Sequence, residues 1–372
     1  MITYLLPTRD RHETLRRTLE ALGSLSAEAH ESIGGAEVIV VDNASTPPVT
    51  FSNRLSNGLP LRIIRLETNH GAAARNIGAQ ASPGEWIIML DDDSHPTNEN
   101  HLGALMEAPR DVAAIGAEIF LPDGRREAGG LPEVIIGCGA AIRRERFLDV
   151  GGYDPTFDYY AEEYDLCAKF LLKGWRVVHD RRFRVLHEKI ATHRDMNRIL
   201  HRLVRNNGWV TRRYSPPDVQ QVELENIISR YAGIAVKEHA ACGFAQGVAD
   251  LLQTLPIQPS RTMSTELFDR FTGLAHVRAM FVDEPRLRAP NTVAIVDEGK
   301  NANIIRQALC DFGAQLIDDE READVLVIGT LSLGPMIDAW ERRTNHPATA
   351  GRLVLCPWTL QGHATCEQAA AA

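Results

Sequence analysis

Long hydrophobic runs are missing from this chain of 372 residues. Its apolar stretches, such as Val38-Ile39-Val40-Val41, are strand-sized. None approaches the ~20 residues that cross a bilayer. The opening Met1-Ile2-Thr3-Tyr4-Leu5-Leu6-Pro7 lacks the basic start, apolar core and small-residue cleavage site of a secretory leader. A cytoplasmic protein is expected. Cysteine is also scarce: six residues, at 138, 167, 242, 310, 356 and 366, with no C-x-x-C pair. That spacing suits neither a disulfide framework nor a zinc site, and fits a reduced compartment. An excess of positive charge is lacking too. The formal net charge of −9 argues against a general nucleic-acid binder.

What is present is the mix of a soluble globular protein, with 44% hydrophobic and 24% charged residues. The length exceeds one ordinary domain. The charge is uneven. Residues 176–213 hold eleven Lys/Arg against three Asp/Glu. A basic stretch in an acidic chain has two readings. It is a solvated helix face, or it meets an anionic partner such as a phosphate group or a membrane surface.

The first half alternates strand and helix signals. Residues 2–6, 37–41, 61–66 and 85–90 read as strands. Asp10 can cap a helix carrying Leu15, Leu19 and Leu22, with Glu13 as its capping-box partner. Residues 71–81 and 161–173 read as further helices, and 177–179 and 184–186 as short strands. This rhythm implies a largely parallel α/β sheet, on which ligands bind at the carboxyl ends of strands. Residues 196–214 predict a basic amphipathic helix ended by Pro216-Pro217. Helical signal alone follows over 219–255 and 263–281. From about residue 289 the β-α-β pattern restarts as a small Rossmann-like unit of about 70 residues, small for an independent domain. Its first turn, Asp297-Glu298-Gly299-Lys300-Asn301, is not the G-x-G-x-x-G dinucleotide fingerprint. The expected division is 1–215, a helical connector over 216–288, the α/β unit over 289–362, and a tail over 363–372.

Three features carry chemistry together. A hydrophobic strand delivers Asp91-Asp92-Asp93 at its end. Two carboxylates there suit Mg²⁺ or Mn²⁺ while leaving positions for substrate phosphates. Ala161-Glu162-Glu163-Tyr164-Asp165 opens a helix. The macrodipole favours acidic residues at that end, and the same place suits a carboxylate base. His187 follows, and becomes a ligand candidate if the fold brings it to Asp93.

On these residues the N-terminal part, residues ~1–215, resembles glycosyltransferase family 2 with the GT-A fold. The matching segments run in order. They are Leu6-Pro7-Thr8-Arg9, Val41-Asp42-Asn43-Ala44-Ser45, Asn69-His70-Gly71 through Ala74-Arg75-Asn76, Asp91-Asp92-Asp93, Gly137-Cys138-Gly139 through Arg143-Arg144, and Glu162-Glu163-Tyr164-Asp165-Leu166. The resemblance implies an inverting transfer from a nucleotide-diphosphate sugar, UDP- or dTDP-linked by preference, to an acceptor hydroxyl. The acceptor would be a glycan, a lipid-linked sugar or a small molecule, in polysaccharide or glycoconjugate biosynthesis. It implies Pro7, Thr8, Arg9, Asp42, Asn43, Arg75, Asp91 and Asp92 around the donor nucleotide. Asp93 and His187 would hold Mn²⁺ or Mg²⁺, and Gly137, Cys138 and Gly139 would lie on the acceptor side. Glu163 matches the general base, with Glu162 and Asp165 as rivals. Arg205-Asn206-Asn207-Gly208-Trp209 resembles a family R-N-x-x-W element. Arg205 could neutralise the diphosphate, while its basic neighbours could face anionic lipid at the inner face of a membrane.

Two other classes stay open at this level. A nucleotidyltransferase shares a related sheet, but the first turn, Pro7-Thr8-Arg9-Asp10-Arg11, has no phosphate-loop glycine. A non-catalytic sugar-nucleotide or partner-binding module would show a degraded D-x-D. The C-terminal unit reads as a packing, oligomerisation or docking element.

Overall fold

The computed structural model describes residues 1–189, 195–282, 284–288, 290–349 and 351–359. The expected tail over 363–372 lies outside them.

The first unit contains β1 (Ile2–Thr8), α1 (His12–Gly23), α2 (Ala27–Ser32), β2 (Ala36–Asp42), β3 (Leu61–Arg65), α3 (Ala74–Ala81), β4 (Trp86–Met89), β5 (Ser94–Pro96), α4 (Asn100–Glu107), β6 (Val112–Phe120), β7 (Ala140–Arg143), α5 (Arg144–Asp149), α6 (Glu162–Leu172) and β8 (Arg176–His187). Its eight strands run in the order β3-β2-β1-β4-β7-β6-β8-β5. The half built from β3, β2, β1 and β4 is parallel, as the sequence rhythm predicts. Beyond β4 the sheet is mixed. β7 runs antiparallel to β4 and β6, and β5 antiparallel to β8.

Alternation along the strands sorts the side chains onto two covered faces. Leu5, Ile39, Val41, Ile87 and Met89 enter one core, while Tyr4, Leu6, Val38, Val40 and Ile88 enter the other. The order of strands reverses at β1, which lies between β2 and β4. Such a switch point leaves a crevice at the strand ends, where Thr8 and Asp91–Asp93 emerge.

Three local expectations change. Asp10 does not cap α1. It adopts φ +55°, its carboxylate accepts from Thr46 N at 2.7 Å, and Arg11 is the N-cap residue, without a side-chain cap bond. Residues 71–81 split into a 3₁₀ turn (Gly71–Ala73) and α3. The two short strands over 177–186 are one twelve-residue strand, with an irregularity opposite Ala117 and Glu118.

A helical segment follows: α7 (Met196–Tyr214), α8 (Pro217–Lys237), α9 (Ala241–Thr254), α10 (Thr265–Thr272) and α11 (Leu274–Val282). Pro216 and Pro217 separate α7 from α8, since proline is tolerated only in a helix's first turn. Among the described residues no helix is long and apolar enough to cross a membrane. The C-terminal unit has β9 (Thr292–Val296), α12 (Ala302–Phe312), β10 (Gln315–Leu316), β11 (Val325–Ile328), α13 (Leu333–Thr344) and β12 (Leu353–Leu355). Its four strands are all parallel, ordered β10-β9-β11-β12.

This unit does not keep a core of its own. One continuous apolar cluster includes Leu5 and Met89 of the first sheet, Phe271 and Val277 of the helical segment, and Leu326, Leu331 and Trp358 of the C-terminal unit. Polar contacts reinforce the seam. Arg126 donates to Asp338 Oδ1 at 2.6 Å and to both Glu341 oxygens at 2.8 and 2.9 Å. Ser332 Oγ accepts from Gly129 N at 2.7 Å and donates to Gly129 O at 2.9 Å. A Cβ on Gly334 would stand 2.3 Å from Glu127 O, so only glycine lets α13 approach this loop.

Candidate active site

A cavity of about 800 Å³ opens at the strand ends. Of the residues singled out in the sequence, it brings together Arg75, Asp91, Asp93, Gly137, Cys138, Glu162, Glu163 and His187. Pro7, Thr8, Arg9, Asp42, Asn43, Asp92, Gly139, Asp165 and Arg205 do not line it.

The three consecutive aspartates have three environments. Asp91 is half-exposed, bonded to Arg75 Nη2, which also donates to Leu90 O at 3.2 Å. Asp92 turns inward and accepts from Thr8 Oγ1 at 2.7 Å and Arg11 Nη1 at 2.6 Å. Burial outweighs those partners and pushes its pKa up to about 7. Asp93 is also buried, but hydrogen bonds from His187 and Arg11 overcome burial and hold its pKa down at about 2.

β8 delivers His187 beside Asp93, with Nε2 3.3 Å from Asp93 Oδ1. Its Nδ1 lies 3.0 Å from Glu127 Oε2, and Lys189 Nζ donates to Glu127 Oε1 at 2.7 Å. Burial disfavours the imidazolium, yet bonds to Asp93, Cys138 and Glu127 outweigh it and push the His187 pKa up to about 12. The Cys138 thiol is pushed up to about 11 by burial, so it is uncharged at neutral pH.

These residues fit a divalent cation. Asp93 Oδ1 is buried, and its 3.3 Å contact with His187 Nε2 is long and leaves the oxygen under-satisfied. Ligand atoms of Asp91, Cys138 and His187 lie within 4.8 Å of one another. Carboxylates with one imidazole suit Mn²⁺ or Mg²⁺. A cation between Asp93 and Nε2 would take the place of the imidazolium proton. Glu127 would then be the outer carboxylate that fixes the ring.

The two glutamates open α6. Glu163 Oε1 accepts from Gly137 N at 3.1 Å. Burial raises the pKa of both Glu162 and Glu163 above the usual carboxylate range. Asp165, the third acidic candidate, points elsewhere. It accepts from Arg213 Nη1 at 2.8 Å and Tyr214 OH at 2.7 Å, and pairs with Lys169 at 2.9 Å.

The backbone leading into α6 is held under strain. Asp158, Tyr160 and Ala161 all have positive φ, a costly conformation for residues with a Cβ. Asn206 secures it, its amide nitrogen lying 2.8–3.0 Å from the carbonyls of Phe157, Tyr159 and Tyr160. Arg205, its neighbour, packs its guanidinium 4.4 Å from the Trp209 ring centroid and bonds Asn206 Oδ1. Asn206 therefore braces the site from behind, and Asn207, not Arg205, is the member of this element that lines the cavity.

The other candidates shape the crevice from behind. Asp42 is fully buried and accepts from Ser45 N, Val49 N and Arg65. Asn43 Oδ1 accepts from His70 N at 2.7 Å, fixing the turn before α3. Arg9 is exposed beside Asp10. Several cavity residues gave no motif signal: Arg11, Glu127, Lys189, Arg230 and Tyr231. Most cations of the 176–213 stretch pair within the protein, as Arg182 does with Asp180 and Glu107, Arg202 with Asp158, and Arg213 with Asp154.

Comparison with known proteins agrees with the resemblance read from the motifs. Residues 3–153 match the model of Glycosyl transferase family 2. An uncharacterized glycosyltransferase of Haemophilus influenzae is 28% identical over 46% of this chain and 62% of its own length. The pre-mycofactocin glycosyltransferase of Mycobacterium tuberculosis is 29% identical over 52% of this chain and 44% of its own. The chain thus spans less than two thirds of the curated relatives it matches. Among solved structures, S. aureus TarS 1-349 in complex with UDP-GlcNAc superposes with a TM-score of 0.48 at 16% identity, covering 74% of this chain and 84% of that one.

Proposed function

We propose that the protein is a metal-dependent, inverting glycosyltransferase that moves a sugar from a nucleotide-diphosphate donor to an acceptor hydroxyl. One observation carries the reading: Glu163, oriented by Gly137 N–H, shares a single cavity with Asp91, Asp93 and His187.

Asp91, Asp93 and His187 would hold Mn²⁺ or Mg²⁺. When bound, the cation offsets charge on the departing diphosphate. Arg75 and Arg11 add fixed positive charge beside the same carboxylates. Their bonds to Asp91, Asp92 and Asp93 keep both guanidiniums aimed before any ligand arrives. Glu163 takes the acceptor proton as the hydroxyl attacks the anomeric carbon in line. Its pKa, raised by burial, brings it nearer the operating pH, where a base is most effective. Gly137 N–H holds the carboxylate in position. Glu162, which lines the same cavity, has its pKa pushed well above the ordinary glutamate value by burial and by the neighbouring charge of Glu163, which makes it the poorer base. Tyr159 and Tyr160, on the strained segment, form the wall against which the sugars lie.

We assign UDP or dTDP as the donor's nucleotide, and a glycan, lipid-linked sugar or small molecule as the acceptor. Peripheral contact with an anionic membrane would fall to the exposed Arg198, since so many neighbouring cations are paired internally. A thermal-shift screen tests the reading, using UDP, dTDP, GDP and CDP with and without Mn²⁺. Ligands that bind only the native state raise its melting temperature. A shift with one diphosphate that needs Mn²⁺ supports it, and no shift with any of them contradicts it.

A further inference from the structure

Among the described residues, Lys300 is the only one of the C-terminal unit that lines the cavity. It stands in the turn after β9, where Leu331 N donates to its carbonyl at 3.0 Å. Its ammonium donates to the Tyr164 hydroxyl and lies 4.8 Å from that ring's centroid. Tyr164 follows Glu163 directly, and Lys300 feels the Glu163 charge. Arg230 of α8 lines the same cavity, its guanidinium 4.8 Å from the Tyr231 ring centroid. The Tyr231 hydroxyl is fixed in turn by Asn207 Nδ2 at 3.0 Å.

The two cations share a feature. Among the described residues no carboxylate forms a salt bridge with either. Burial pushes the Lys300 pKa down to about 8, so the ammonium stays largely charged at neutral pH while losing much of its hydration. A cation held this way gains most from an anion that replaces the missing water. The donor diphosphate has its own cations, Arg11 and Arg75, beside the aspartates. Lys300 instead borders the residue that follows the base, where the acceptor must sit.

We propose that Lys300 and Arg230 form a receptor for a carboxylate or phosphate group carried by the acceptor, placing its hydroxyl at Glu163. This deepens the transferase reading and rests on it for the word acceptor. The C-terminal unit then has a defined task. It is anchored by Arg126–Asp338 and Ser332–Gly129 so that one lysine reaches into the cavity of the first unit. Lys300 is a positioning and specificity residue in this scheme, and Glu163 remains the base.

The test titrates the full chain with inorganic phosphate, with acetate, and with uncharged methyl glucoside. The readout is the Lys300 side-chain methylene NMR signal, identified by its loss in K300M, together with the apparent affinity. The expected result is a saturable shift of that signal with at least one anion and none with methyl glucoside. The stronger anion tells phosphate from carboxylate. Affinity should fall at least tenfold in K300M and R230M and be largely kept in K300R. A Lys300 signal that no anion moves, or equal affinity in K300M, overturns the proposal. Calorimetry of UDP with Mn²⁺ on the same samples reports the transferase reading separately. If UDP fails to bind while the anion still moves Lys300, the receptor stands and only its assignment to an acceptor falls.

Discussion

The imidazole of His187 lies 3.0 Å from the Glu127 carboxylate through Nδ1, which leaves Nε2 facing Asp93. Donation of Nδ1–H to a carboxylate fixes both the tautomer and the orientation of a metal-binding histidine. Glu127 itself belongs to the loop that α13 braces, so the C-terminal unit supports the cation site at one remove.

Replacing Glu127 by Gln should therefore weaken Mn²⁺ binding by ~10–100-fold, the usual range for a lost outer-shell carboxylate. Calorimetric titration with Mn²⁺ checks this. Unchanged affinity would mean that the ring is held by other contacts.

Asn206 should matter to turnover more than to donor binding. Asn206→Ala releases the strained Tyr159–Tyr160 segment from three carbonyl contacts. We expect kcat to fall ~10-fold or more, the scale on which small misplacement acts, with UDP–Mn²⁺ affinity within about twofold. Steady-state kinetics beside calorimetry separates the two.

The parallel half of the sheet and the carboxylate sites are legible in the sequence because they are local. Strands 2–6, 37–41 and 85–90 are compact apolar runs, and Asp91–Asp93 and Glu162–Glu163 follow directly from an element's end or start. β6 is not legible in this way. Val112-Ala113-Ala114-Ile115-Gly116-Ala117 is buried on both faces and shows no alternation. Its Gly116 serves a partner far along the chain, since a Cβ there would stand 2.4 Å from His179 Nδ1. The membership of Glu127, Arg230 and Lys300 in one site escapes for a related reason, although Lys300 stands out in the sequence as a suggestive residue of its own unit's first turn. The three come from a loop, a helix and a turn separated by tens to hundreds of residues, and only the shared core brings them to one cavity.

The seam between the units should contribute measurable stability. Asp338→Ala removes the partner of the Arg126 backbone N–H and one of the two partners of its Nη1, which keeps Glu341. Leaving these donors under-satisfied should cost about 1–3 kcal/mol. Urea unfolding measures it, and a loss well below 1 kcal/mol would mean that the apolar contacts alone fasten the unit.

His179 links stability to pH. It is buried against Trp358, its ring centroid 5.5 Å away, with Nε2 3.0 Å from Leu131 O. Burial, the largest cause, pulls its pKa down to about 4. The unfolded chain, at an ordinary value near 6.5, then binds more protons between those limits. Its contribution is present above pH ~6.5 and is lost as pH falls toward 4, about 2 kcal/mol of it by pH 5. His179→Gln should flatten the acid limb of the stability curve by that amount. An identical limb in the variant would remove His179 as the cause.

The central claim is that Glu163 is the base of a metal-assisted sugar transfer. The most direct measurement follows release of free nucleoside diphosphate from UDP- and dTDP-sugars with Mn²⁺, water serving as acceptor, in wild type, Glu163→Gln and Glu162→Gln. Calorimetry of UDP with Mn²⁺ is run on the same proteins. The account predicts near-normal UDP affinity in Glu163→Gln with release lowered ~10²-fold or more, and a smaller loss in Glu162→Gln. Wild-type release by Glu163→Gln, or the large loss in Glu162→Gln instead, would contradict it.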